Sequence, residues 1–178
     1  IGAEESGTER NATQILEFAG MPSSLVATKN LDYIEATKEL KAGDIDAFFC
    51  TAGLTTTVID ELSKECDIRL IPLTDTVISK MLESSLAYTS EVIPAGTYTG
   101  QDTAISTIGV KSVLITKSDV SDDTIEQLTS LLFEKENELS YSNSLKLELT
   151  YDFATDDIPI PFHDGAKRYY KACGYSTN

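Results

Sequence analysis

The stretch from Asp32 to Leu62 constrains the fold more than any other part of the chain. Asp32 and Glu35 stand in capping-box spacing, Tyr33, Ala36, Thr37 and Leu40 share one helical face, and Gly43 follows as a terminator. Ile45-Asp46-Ala47-Phe48-Phe49-Cys50 comes next, a short run that reads as a buried strand. Thr51-Ala52-Gly53 then turns the chain, and Val58, Ile59 and Leu62 open another helix. A helix, a strand, a glycine turn and a helix in direct succession give the order of an α/β protein.

The same alternation runs through the rest of the chain. Ser6-Gly7-Thr8 leads into Ala12, Ile15, Leu16 and Ala19 at helical spacing, closed by Gly20. Ile68 to Leu73 reads as a strand, Val77 to Leu82 as a short helix, and Val110 to Thr116 as a strand entered through a glycine-rich loop. Between Ile93 and Asp102, a proline and two glycines punctuate a loop separating two extended segments. Ser121 to Leu139 opens with acidic residues and carries Ile125, Leu128, Leu131 and Leu132, the pattern of a long amphipathic helix. Asp152 to Pro161 reads as extended and acidic. A last helix runs from about Asp164 to Cys173, with Ala166, Tyr169, Tyr170 and Cys173 on its buried side and Gly174 as its cap. Neither a repeat nor a flexible linker is evident, and 178 residues suffice for one ordinary domain or two small lobes joined by structured crossings.

Charge narrows the partners. With 14 basic and 29 acidic side chains the net charge is -15, which repels nucleic acid and anionic membrane surfaces. An anionic small molecule meets the same far field, but screening over about 8 Å leaves nearby groups to decide. No apolar run approaches the ~18 residues needed to span a bilayer. Cys50, Cys66 and Cys173 are isolated thiols without a CxxC or a repeated spacing, so they read as structural rather than as a zinc site or a disulfide framework.

Three groups have the chemistry of a binding site. Glu5-Ser6-Gly7-Thr8 gathers two hydroxyls and unpaired amides at a helix N-terminus, an arrangement that favours anions but also serves as an ordinary N-cap. Thr51-Ala52-Gly53 lies at the carboxyl end of the expected strand, where open α/β sheets bind ligands; its plain alternative is a glycine turn. The Gly96 to Gln101 loop offers Tyr98 as an aromatic face and a polar tip, or as an exposed turn residue. GxxxxGK[ST] and GxGxxG are both absent, so nothing calls for a nucleotide or another cofactor. His163 is the sole histidine and lacks a GxSxG partner, which favours a cap over a catalytic base. Asp119, Asp122 and Asp123 suit a helix start better than a calcium loop. Asn11-Ala12-Thr13 fits a glycosylation acceptor, yet falls inside the first expected helix.

Taken in order, several blocks resemble the TAXI family, the solute receptors of tripartite ATP-independent periplasmic (TRAP) transporters. They are Gly2-Ala3 with Ser6-Gly7-Thr8-Glu9 and Asn11-Ala12; Leu40 to Phe49 with Thr51-Ala52-Gly53; Ile93 to Tyr98 with Gly100-Gln101-Asp102; and Ile158 to Pro161 with His163, Gly165-Ala166 and Arg168-Tyr169-Tyr170. The resemblance implies an α/β, type II periplasmic-binding-protein fold, in which two lobes with mixed sheets flanked by helices close over a ligand. It implies that a signal sequence and part of the first lobe precede the block that starts here. Residues 1–73 would then belong to the second lobe, and 74–178 to the crossover and the returning part of the first. It further implies a non-enzymatic, extracytoplasmic receptor, periplasmic or lipid-anchored on the outer face of the cell membrane. Such a receptor is a monomer that delivers small carboxylates or glutamate-like amino acids to a membrane permease. By the same resemblance Ser6, Gly7, Thr8, Thr51, Ala52, Gly53 and Tyr98 touch the ligand.

Two departures stand out. Glu4-Glu5 replaces small residues, so Glu5 either repels a ligand carboxylate or pairs with a ligand ammonium group. Thr99 replaces a proline and leaves its loop less rigid. Two other classes compete: a ligand-sensing effector domain of the same broad fold, and a hydrolase using His163.

Overall fold

A computed structural model of the chain describes residues 1–135 and 149–177. These residues form an α/β arrangement of seven helices and one two-stranded sheet. By contacts the chain divides into two compact units, Ile1–Gly109 and Val110–Asn178. Among the described residues no helix is long and apolar enough to cross a membrane.

The first unit holds α1 (Gly7–Phe18), α2 (Tyr33–Ala42), α3 (Thr57–Glu65), α4 (Asp75–Ser84), β1 (Tyr88–Ile93) and most of β2 (Ile105–Val110). The helix ends follow their sequence signals closely. Asp32 accepts the Glu35 amide at 2.8 Å while Glu35 accepts the Asp32 amide at 3.3 Å, the expected reciprocal box. At the other end Gly43 takes φ 77°, and the Gly43 and Asp44 amides return to Leu40 and Glu39. That left-handed cap suits a residue without a Cβ.

Ile15, Val77 and Met81 make the core of this unit, with Phe18, Phe49, Leu73, Tyr88 and Ile108 packed against it. Met81 is fully buried at the α1–α4 contact. Lys80 Nζ donates to the Phe18 carbonyl at 3.3 Å, placing a cation on the C-terminal end of α1. The connection between β1 and β2 contains no helix and is too short for a parallel crossover, so the pair is a hairpin. The proline-glycine segment from Ile93 to Asp102 separates two extended segments, as expected.

The strand expectations need correction. Ile45 to Cys50 forms no strand and has no sheet neighbour; Phe48, Phe49 and Cys50 are half-buried, and Phe49 packs against the unit's own core. Ile68 to Leu73 is likewise irregular; its one bond to β2 is Leu73 N–H to the Ser106 carbonyl at 2.9 Å. The strand expected over Val110 to Thr116 lies earlier, as β2, and the chain after Val110 is unpaired. Apolar content marks such runs, but a strand exists only where a second segment supplies hydrogen bonds. The described sheet has two strands rather than the mixed sheets expected.

The second unit is built from α5 (Asp122–Glu134), α6 (Tyr151–Thr155) and α7 (Asp164–Ala172). Residues 136–139 of the longer helix expected from Ser121 lie outside the described residues. The apolar stripe of α5 is narrower than expected: Ile125 and Thr129 are buried, whereas Leu128 and Leu131 are 39% and 47% exposed. The segment expected to be extended from Asp152 begins as α6. Thr150 caps it through the Phe153 amide at 3.1 Å, and Lys111 Nζ donates to the Phe153 and Asp156 carbonyls at its end, at 3.0 and 2.8 Å.

Helices α5 and α7 pack closely. Arg168 Nε donates to Glu126 at 2.9 Å and its Nη2 to Asp123 at 2.6 Å, while Phe133 stacks on Tyr151 with centroids 4.4 Å apart. Tyr170 is buried on α7 as expected, whereas Cys173, expected on the same side, is exposed as the C-cap just past the last helical residue. All three cysteines are free thiols.

The closest approach predicts a contrast between two glycines. A Cβ at Gly165 would overlap the Asp122 backbone carbonyl, whereas one at Gly7 meets nothing within 4 Å. Gly165→Ala should therefore destabilise the chain by about 2 kcal/mol or more, through overpacking against backbone that cannot yield. Gly7→Ala should stay within about 0.5 kcal/mol. Urea unfolding of both variants checks the difference.

Candidate functional site

All seven residues expected to touch a ligand lie in the first unit. At the start of α1, Ser6 has extended backbone angles and its hydroxyl accepts the Glu9 amide at 3.1 Å, so it acts as the N-cap. Glu9 answers from the first turn. Its Oε2 accepts the Glu5 amide at 2.6 Å and its Oε1 accepts Asn30 Nδ2 at 2.7 Å. The amides of Gly7 and Thr8 find no acceptor among the described residues, which leaves the positive end of the helix open at an exposed glycine. Just before it, Glu5 holds φ 61°, a left-handed conformation that costs a non-glycine residue about 1 kcal/mol. Glu4 and Glu5 are both exposed beside this end.

Thr8 points the other way. It is 7% exposed, and its Oγ1 lies 2.9 Å from the Tyr33 hydroxyl. The same hydroxyl sits 2.9 Å from the Thr51 carbonyl and 3.1 Å from the Thr51 amide nitrogen. Proton counting fixes the directions. A carbonyl can only accept, so Tyr33 gives its single proton to Thr51 O; it then accepts from Thr51 N–H, and Thr8 must donate to it. Tyr33 is thereby saturated, and Thr8 is joined through it to the Thr51 turn. Nearby, Asn11 Nδ2 approaches Thr51 Oγ1 at 3.4 Å while Tyr88 donates to Asn11 Oδ1 at 2.9 Å.

Tyr98 reaches the same turn from the β1–β2 loop. Its hydroxyl donates to the Leu54 carbonyl at 2.5 Å and accepts the Thr56 amide at 3.3 Å. Gln101 braces it, accepting the Tyr98 amide at 3.3 Å and donating to the Pro94 and Thr103 carbonyls at 2.9 Å each. Tyr98 is 7% exposed rather than an exposed turn residue. Burial pushes its phenol above the ordinary tyrosine value, and the Thr56 amide opposes that shift by favouring the phenolate. The Cys50 thiol, immediately before Thr51, is pushed up by burial too, with Tyr33 opposing, so it is a poor nucleophile.

Thr8, through Tyr33, and Tyr98 thus meet at the turn that carries Thr51 and the exposed Ala52 and Gly53, while Ser6 and Gly7 sit at the start of α1 beside Thr8 in the same unit. A surface depression of about 450 Å3 runs along α1, lined by Glu9, Arg10, Thr13, Gln14 and Glu17, none of which is an expected ligand residue. Sequence reasoning missed Tyr33 and Asn11 as site members. Tyr33 reads from its spacing as part of a packed helical face, and it is half-buried, but its first position after the α2 N-cap lets the hydroxyl reach the Thr51 turn.

His163 belongs to the second unit. Its Nδ1 accepts the Gly165 amide at 3.1 Å as the N-cap of α7, and its buried Nε2 has no partner among the described residues. Asp122 lies 3.7 Å from Nδ1. No serine or cysteine nucleophile is bonded to it among the described residues, so the geometry is that of a cap.

The chain matches the model of a protein family described as the NMT1-like family over residues 1–174. It belongs to that family, which is of the periplasmic-binding type.

Burial of the phenols has a consequence at high pH. Tyr88, Tyr98 and Tyr170 are all raised, chiefly by desolvation. Folded phenols that hold protons more tightly than the unfolded chain contribute stability in full below about pH 10, and lose it as pH climbs through the raised folded values. Urea midpoints should therefore fall above about pH 10, and Tyr98→Phe should shrink that alkaline loss. Phenolate absorbance is a clean monitor, since the chain has 8 tyrosines and no tryptophan.

Proposed function

We propose that this member of the NMT1-like family is an extracytoplasmic solute receptor, one that captures a small carboxylate or glutamate-like amino acid and delivers it to a TRAP-type permease. The observation that carries the reading is the meeting of two sequence-marked turns. The open N-terminus of α1 lies beside the exposed Thr51-Ala52-Gly53 turn, with Asn11 and the Thr8–Tyr33 pair spanning them. Family membership over residues 1–174 supports solute binding in general, and the ordered blocks from Gly2 to Tyr170 support a TAXI-type receptor within it.

On this reading the unpaired Gly7 and Thr8 amides meet a ligand carboxylate and Thr51 Oγ1 adds a hydroxyl contact. Glu5 meets a ligand ammonium, which favours an amino acid over a plain dicarboxylate. Residues 1–73 form part of the second lobe, and 74–178 the crossover and the returning part of the first. Binding energy goes into lobe closure, so the receptor needs a higher affinity for the closed form and no catalytic group. The protein works as a monomer outside the cytoplasm, in the periplasm or anchored by lipid to the outer face of the membrane. His163 stays a cap.

A thermal-shift screen of amino acids and di- and tricarboxylates, followed by calorimetry, tests the reading. A ligand at about 100 times its Kd should add about 2.7 kcal/mol of stability. Thr51→Ala should weaken the hit about tenfold without lowering the unliganded midpoint, since loss of a hydrogen bond to a charged group costs about 1.5 kcal/mol or more. Absence of any saturable binder rejects the receptor. In the same assay Glu5→Gln should weaken amino-acid binding; if it tightens a dicarboxylate and leaves amino acids unchanged, the amino-acid preference is wrong.

A further inference from the structure

We propose that Tyr33 and Tyr98 are positioning residues that pin the two ends of the Thr51–Thr56 turn in its ligand-ready shape, and that neither phenol touches the ligand. This rests on the reading of Thr51-Ala52-Gly53 as a ligand contact, and reassigns Tyr98 within it.

The two phenols do the same job from different places. Tyr33, on α2, accepts the Thr51 amide and donates to the Thr51 carbonyl. Tyr98, on the β1–β2 loop, accepts the Thr56 amide and donates to the Leu54 carbonyl. Between these pins Ala52, Gly53 and Leu54 are exposed, and no backbone–backbone hydrogen bond joins two residues of the turn to each other. Its shape is therefore imposed from outside. Each pin is fixed in turn, Tyr33 by the buried Thr8 hydroxyl and Tyr98 by the Gln101 amide.

Saturation argues against direct contact. Tyr33 has spent its proton and both lone pairs, and Tyr98 has spent its proton and is 7% exposed. Stability alone does not explain the hydroxyls either. Water satisfies the exposed Thr51 groups nearly as well as a phenol does, so the bonds to the turn itself add little to folding, and Tyr33→Phe costs stability mainly by leaving the buried Thr8 hydroxyl without its partner. What the hydroxyl adds is order. A turn without internal bonds loses backbone entropy when a ligand fixes it, and pinning takes that loss before the ligand arrives.

The test is Tyr33→Phe, Tyr98→Phe and the double variant of the whole chain, followed by amide exchange and by calorimetric and stopped-flow titration with L-glutamate and malate. Exchange should quicken at Thr51 in the first variant and at Thr56 in the second, each by more than that variant's change in thermal midpoint accounts for. Affinity for the ligand bound by the wild type should fall about fivefold to tenfold per variant, mainly through slower association, as an ordering step precedes binding. Unchanged exchange at Thr51 and Thr56 overturns the pinning whatever the chain binds. Faster exchange with wild-type affinity, or a loss of affinity that merely follows a global drop in midpoint, overturns the positioning role. A wild-type chain that binds neither probe, while binding another class of solute with both phenylalanine variants unimpaired, overturns the inference and leaves the receptor reading standing. A wild-type chain that binds no solute at all removes both.

Discussion

One phenolic oxygen, that of Tyr33, ties together the parts of the first unit on which the candidate site depends. It lies where α2 begins, and its three hydrogen bonds join α1 through Thr8 to the turn at Thr51. Because the Thr51 carbonyl can only accept, Tyr33 donates to it, accepts the Thr51 amide and takes the Thr8 proton. Such a fully satisfied polar group specifies geometry more than it adds stability. The capping box at Asp32 and Glu35 contributes by fixing where α2 starts, and hence where Tyr33 stands.

How much of this was legible in the sequence depended on the range of the interactions. Helix ends are local: Asp32, Glu35, Gly43, Ser6 and Gly174 announce their roles within a few residues, and the structure gives them those roles. Strands are not local. Ile71, Leu114 and Ile115 are 72%, 67% and 74% exposed in segments that form no strand, so apolar composition alone placed strands where no ladder of hydrogen bonds forms among the described residues. The start of α6 was missed for a different reason, since the Thr150 cap and the Lys111 contacts that close it come from either end of a very short helix.

The candidate site shows the same division. Ser6, Gly7, Thr8 and the Thr51 turn could be marked from residue type and their places beside helix starts. Their connection could not, because it runs through Tyr33, read from periodicity as a packing residue, and through Asn11 and Tyr88, which lie tens of positions from the Thr51 turn or from each other. In the second unit His163 drew attention as the sole histidine, yet its geometry is explained by the start of α7 and the close approach of Gly165 to Asp122.

Charge remains the strongest restriction on what the site accepts. A net charge of -15, with Glu4 and Glu5 beside the α1 terminus, opposes an anion at long range, while two amides without an acceptor among the described residues favour one at contact. A zwitterion meets both demands. Chemical-shift mapping of the isotope-labelled chain during titration with L-glutamate tests this most directly. The receptor reading predicts saturable shifts concentrated at the amides of Gly7, Thr8 and Thr51 to Gly53. Shifts confined to residues 110–177, or none at millimolar L-glutamate, would contradict it.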